Sequence, residues 1–397
     1  MRRIGAVWSL AFVGVFLGSP RMISAAAGAP ELTPEQVTAL NEAREQGRVL
    51  FQQRKYREAA EAYRRATRID SSDAPTYFNL GLCHQGLNDS PGAVQALRRA
   101  ITIDPMFGPA HLEIAKVLLK GNDLEAAEEE YKATKRLLAD SIQYLAVAEQ
   151  GLQNVAIAYT NRAVVAMRQR DYDRAQADAE RAMELAPELA RGYYIGARID
   201  EIRDRYGPAL ERYHLAAENA GNAKERAEAL EGIGRVYIAI AHDAERANRT
   251  EEAERARRDA VEHLRESLQL DSTNATTFLN LGNTLYELNL NVEARNALIR
   301  AEGLNPRDYQ APFKLAEAYL KLDQCAEAEA AASRAIALQR ANASVHAVRA
   351  EALECLGRLR EAIEEYDQAR RDPRWRQRAE YKMKKLTEEL GHSAEAR

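Results

Sequence analysis

The chain has 397 residues, with 56 lysines and arginines against 60 aspartates and glutamates, for a net charge of −4. A balance that even gives no ground for reading a nucleic-acid partner from whole-chain charge. Three cysteines, Cys83, Cys325 and Cys355, are too few for a disulfide framework.

In chain order, residues 1–27 read as a targeting segment. Arg2 and Arg3 precede an apolar run from Ile4 to Gly18, and small residues follow from Ser24 to Ala27. That is the pattern of a secretory signal peptide, and the run is short for a membrane span, which needs about 20 residues. The expectation is export to a periplasm or the extracellular space after cleavage, with an uncleaved N-terminal anchor as the alternative. Residues 28–39 read as a linker, inside which Thr33-Pro34-Glu35 is a helix-start signal.

From about residue 40 the sequence repeats. Thr76 to Pro105 reads as two short amphipathic helices joined by a turn, with Tyr77, Leu80 and Gly81 on one and Ala93, Leu97 and Ala100 on the other. The alanine that opens the second helix recurs as Ala59, Ala93, Ala127, Ala175, Ala209, Ala260, Ala294, Ala328 and Ala362. Six of the eight intervals are 34 residues, and the exceptions are 48 and 51. No such helix pair can bury its apolar stripe alone, so the units must stack on one another.

This helix–turn–helix pattern, with small, aromatic and proline positions at a period of 34, resembles the tetratricopeptide repeat. The resemblance implies an all-α, right-handed superhelical solenoid of about nine units over 40–376. Their bounds are near 40–73, 74–107, 108–141, 156–189, 190–223, 227–274, 275–308, 309–342 and 343–376. A capping helix is expected over 377–390, with Trp375, Tyr381 and Leu386 covering the last apolar face, and a disordered tail over 391–397.

Two stretches break the period. Fourteen extra residues lie between Ala127 and Tyr159, and the expectation is that both adjoining helices lengthen by about two turns. Ile142, Leu145, Leu152 and Val155 then carry the stripe, with Gly151 as a weak point. The second stretch, between Ala209 and Ala260, predicts two lengthened helices turning near Asn248-Arg249, with a charged outer part. Cys83 falls inside a helix as a small apolar residue. Cys325 and Cys355 sit in adjacent units, where a bridge is conceivable in an oxidising compartment.

No motif of catalysis, metal ligation or phosphate binding is present, so the expected role is a non-enzymatic scaffold with no cofactor, holding an unidentified protein or peptide. The resemblance implies that the first helices line a groove. Two family patterns can be laid on it. A carboxylate clamp maps onto Arg44, Arg48, Asn79, Pro109 and Glu113, of which only the first three suit an anion. An asparagine ladder maps onto Asn79, Asn161 and Asn280, with Asn283 nearby; an amide both donates to and accepts from a peptide backbone. The alternative role is an adaptor on an anionic membrane surface or polyanion. It would use Arg370, Arg371, Arg374, Arg376, Arg378, Lys382, Lys384 and Lys385 near the C-terminus.

Overall fold

The computed structural model describes residues 32–395, and among them there are nineteen α-helices and no strand. Eighteen form nine consecutive pairs, each an A helix followed by a B helix. The pairs are α1 (Pro34–Gln52) with α2 (Tyr56–Ile69), α3 (Ala74–Gly86) with α4 (Ser90–Ile103), and α5 (Gly108–Lys120) with α6 (Leu124–Leu137). Next come α7 (Ile142–Arg168) with α8 (Tyr172–Leu185), α9 (Ala190–Ile202) with α10 (Tyr206–Glu218), and α11 (Ala223–Arg246) with α12 (Thr250–Leu270). Last are α13 (Ala275–Glu287) with α14 (Asn291–Leu304), α15 (Gln310–Lys321) with α16 (Cys325–Leu338), α17 (Ala343–Cys355) with α18 (Leu359–Ala369), and the single helix α19 (Pro373–Glu395). The described residues divide into two compact units, one reaching to residue 165 and including 181–186, the other of 166–180 with the residues from 187 on.

The expected signal segment lies outside the described residues, as do 28–31 of the expected linker. Residues 34–39 of that linker are already helical: α1 starts at Pro34, where Thr33 Oγ1 accepts from the Gln36 backbone N–H at 3.2 Å and Gln36 Oε1 accepts from the Thr33 N–H at 2.9 Å. This reciprocal cap satisfies two donors that the first turn would otherwise leave open.

All nine period-marking alanines are completely buried. In three pairs the backbone of this alanine lies close against an A-helix glycine: Ala93 with Gly81, Ala260 with Gly234 and Ala294 with Gly282. The A helix answers with glycine in several pairs: a Cβ on Gly81 would stand 2.7 Å from Leu97 Cγ, and one on Gly282 would stand 2.6 Å from Leu298 Cγ. A second period escapes the sequence reading, because no one residue type marks it. The turn inside each pair carries one residue at positive φ, in order Arg54, Asn88, Asn122, Arg170, Asp204, Asn248, Asn289, Asp323 and Gly357. The left-handed conformation ends the A helix and starts the reversal.

Both insertions are helical, but not as expected. The first falls wholly on α7, which has 27 residues, while α6 keeps the 14 of α4 and α14. Ile142 is 85% exposed and carries no stripe, whereas Leu152 and Val155 are buried. Gly151 is a packing site rather than a weak point, because a Cβ there would overlap the Tyr131 ring of α6. In the second, α11 and α12 reach 24 and 21 residues and turn over Ala247–Arg249, as the sequence predicts. Their charged exterior hides a seam of Ala241, Ala244, Ala253 and Ala256.

At the C-terminus α19 starts at Pro373 and runs past Gly391 to Glu395, so the helix is longer than predicted and most of the expected tail is helical. Leu386 is buried on α17 and α18, with Trp375 packed beside it, but Tyr381 is 67% exposed and covers nothing. The sulfurs of Cys325 and Cys355 are joined, with their Cα atoms 6.0 Å apart, an ordinary disulfide span. Cys83 is fully buried, and burial pushes its thiol up to about 12.

Candidate functional site

In the second compact unit the A helices α11, α13, α15 and α17 touch in succession, and α19 continues the row beside α17. Side chains that point away from the B helices therefore share one polar face. Asn280 and Asn283 stand on α13, half-buried. Across from them on α15, Lys314 Nζ lies 2.8 Å from Glu317 and over the rings of Phe313 and Tyr286, at 5.3 and 6.0 Å from their centroids. Asn283 Oδ1 is buried with no hydrogen-bond partner, so its acceptor capacity is unused.

The row goes on through α17 and α19. Arg378 reaches Glu351 at 2.5 Å, Lys382 reaches Glu354 at 2.9 Å, and the Trp375 indole N–H donates to Ser344 Oγ at 3.0 Å. Burial raises the Glu351 carboxyl above the usual carboxylate range, and Glu354 and Glu317 add to this against the opposing pull of Arg378 and Lys382. The Tyr366 hydroxyl donates to Glu354 at 3.1 Å from below. The same device recurs between α9 and α11. There the buried Tyr213 donates to Glu201 at 2.7 Å, and Arg235 grips Glu201 with two donors at 2.9 and 3.0 Å. Burial opposes ionisation of Glu201, but the Arg235 hydrogen bonds outweigh it and hold the carboxyl below its ordinary value. In each case a B-helix tyrosine fixes an A-helix glutamate, which then holds a cation of the next A helix. Charge-assisted bonds of this kind fix side-chain direction as well as energy.

The first compact unit treats its predicted residues differently. Arg44 pairs with Asp73 at 2.5 Å and donates to Thr76 Oγ1 at 3.1 Å, and Arg48 donates to Glu45 at 2.8 Å. Asn79, on α3, is only 5% exposed. The carboxylate clamp is thereby corrected: both guanidiniums already hold protein acceptors, and the amide does not reach the surface. Pro109 and Glu113 are buried too, Glu113 pairing with Lys116 at 2.7 Å. Asn161 is exposed on α7. Of the four asparagines, Asn280 and Asn283 share α13, and Asn79 and Asn161 lie in the other compact unit.

Five of the eight cations of the basic C-terminal set have a carboxylate beside them. Arg370 pairs with Asp367 at 2.6 Å, Arg374 with Asp372 at 2.8 Å, and Lys384 lies 4.0 Å from Glu388. Arg378 and Lys382 bond to α17 glutamates, yet seven of the eight cations stay exposed, Lys382 being half-buried. Their partners lie up to 28 residues away in sequence, where charge counting along one helix does not look.

Family models described as tetratricopeptide repeat match residues 74–105, 156–189 and 313–374, and one described as TPR repeat matches 47–88. The chain thus carries tetratricopeptide repeats. It is 32% identical over 92 residues to Hsp70-Hsp90 organizing protein 1 of Glycine max, covering 23% of this chain and 16% of that protein. It is 32% identical over 93 residues to the Hsp70-Hsp90 organizing protein of Triticum aestivum, again covering 16% of its length. Among solved structures, MamA matches with a TM-score of 0.40 and 22% identity, over 46% of this chain and 91% of MamA.

Proposed function

We propose that this protein is a non-enzymatic, exported scaffold that holds a peptide segment of another protein along the face built by α13, α15, α17 and α19. The observation that carries this reading is the pair Asn280 and Asn283, half-buried amides on one helix beside the fixed charges of α15 and α17. An amide side chain at a surface can both donate to and accept from the backbone of an extended segment. The sequence likeness to a protein named for organising two others supports the scaffold class. Export is supported by the pattern of residues 1–27 and by the joined Cys325 and Cys355, since disulfides persist in oxidising compartments.

The test is a peptide array of exported proteins probed with the full chain and with an Asn280→Ala/Asn283→Ala variant of unchanged helix content. Binding that the double variant loses at least tenfold supports the site, a change of about 1.4 kcal/mol. Equal binding by both proteins rules it out. N-terminal sequencing of the protein recovered from cell fractions tests export separately.

A further inference from the structure

We propose that His111 and His346 are proton-operated latches, each fastening the loop that enters its repeat to the B helix of that repeat. The two sites are built alike. His111 of α5 places Nδ1 2.6 Å from the Glu130 carboxylate of α6 and Nε2 3.2 Å from the backbone carbonyl of Pro105. His346 of α17 places Nδ1 2.6 Å from the Glu365 carboxylate of α18 and Nε2 2.8 Å from the carbonyl of Arg340. In both, the glutamate follows the histidine by nineteen residues and the carbonyl precedes it by six.

Both oxygens are acceptors, so both ring nitrogens must donate. Only the doubly protonated ring does that. A neutral ring keeps one N–H and turns a lone pair toward the other oxygen, so the latch loses its hold either on the loop or on the B helix. The contrast inside the same protein is His84: its Nδ1 lies 2.7 Å from Asp89, but its Nε2 faces an Arg64 donor at 3.2 Å, so that nitrogen accepts. His84 shares the residue type and the carboxylate, but not the latch.

The charged groups facing each ring decide the sign. His111 meets Glu130, with Arg136 of the same helix opposing it; His346 meets Glu365, with Arg349 opposing it. Arg349 is itself held by Glu365 at 2.6 Å and by Glu329 of α16 at 2.8 Å, which weakens its claim on the ring. For both histidines the hydrogen bond to glutamate, offset in part by burial, raises the pKa above the ordinary value. A raised folded pKa means the latch is fully present below the unfolded value of about 6.5 and is lost as pH rises through the folded value. The loops at 104–107 and 339–342 therefore loosen as pH rises through these raised midpoints.

The experiment titrates the full chain, labelled at histidine Cε1, by NMR, and follows amide exchange of both loops between pH 6 and 8 after correction for intrinsic base catalysis. Midpoints above about 6.5 for His111 and His346 are expected. Latch opening should rise from acid to alkaline pH by about tenfold for every pH unit that separates the midpoint from that ordinary value. The Glu130→Gln and Glu365→Gln variants should return each midpoint toward about 6.5 and flatten the exchange profile of their own loop alone. Midpoints at or below the ordinary value in the wild-type chain overturn the proposal. So do loops whose corrected exchange is the same at both pH values.

Discussion

The two places that break the repeat period accept extra residues in opposite ways. Near α7 a whole insertion lengthens one helix, and α6 beside it stays at the standard length. Near α11 and α12 both helices grow and form a projecting hairpin. The difference lies in what each new segment has to pack against. A hairpin can lengthen only if both helices carry small residues along a shared seam, and Ala241, Ala244, Ala253 and Ala256 supply it. Arg257, 7% exposed, then fastens the arm, with bonds to Glu245 and, at 2.9 Å, to Glu287 of α13. The extension of α7 has no such complement. It crosses α6 instead, with Gly151 over Tyr131 and Lys135 2.9 Å from Glu149.

The most severe test of this contrast is Gly151→Val. Two branched carbons have no room above Tyr131, so stability should fall by about 3 kcal/mol, at the upper end of overpacking effects. Urea denaturation measures it, and an unmoved midpoint would show that α7 does not cross α6 at that point. The hairpin should be less sensitive. Arg257→Met removes both ion pairs but leaves glutamates that water can reach, so a loss of about 1–2 kcal/mol is expected, less than for a fully buried pair. Amide exchange should rise from Ala241 to Arg246 and stay level in α9. A uniform rise across the unit would mean that Arg257 supports the core and not the arm.

The smallest effects separate the two turns. Arg170, after α7, holds φ at 61°, and Asn248, at the hairpin tip, holds 56°. The left-handed conformation strains an arginine by roughly 1–2 kcal/mol and an asparagine by less. Arg170→Gly should therefore stabilise by about 0.5–1 kcal/mol, and Asn248→Gly should change little. Equal melting shifts for the two variants would contradict this ranking.

Which parts of this were legible in the sequence follows from the range of each interaction. The alanine period is a local signal repeated nine times, and it located every B helix. The positive-φ turns also repeat, but through Arg, Asn, Asp and Gly, so no single letter marks them. The packing of glycine under tyrosine joins neighbouring repeats whose spacing changes, as in Gly151 with Tyr131 and Gly232 with Tyr213, and the 34-residue period hides it. The site suffered most. The strings around Asn79 and Asn280 are nearly the same, yet one amide is buried and the other is half-exposed. The predicted basic surface is partly neutralised by Glu351 and Glu354, which sit on a helix two elements earlier and bond to Arg378 and Lys382.

The covalent link between α16 and α17 also has a mechanical consequence. It closes a loop spanning 30 residues across consecutive repeats. A chain pulled from its C-terminus can unravel α19 and α18, but the segment between the two sulfurs cannot be drawn out while the bond holds. In a single-molecule pulling experiment, adding a reductant should lengthen the fully extended chain by about 100 Å, since each freed residue contributes roughly 3.3–3.6 Å. An identical extension with and without reductant would show that the two thiols are not joined in the folded protein. Where the bond is present, tension on the tail crosses directly from Cys355 to Cys325, and the enclosed residues stay slack while the helices before them bear the load.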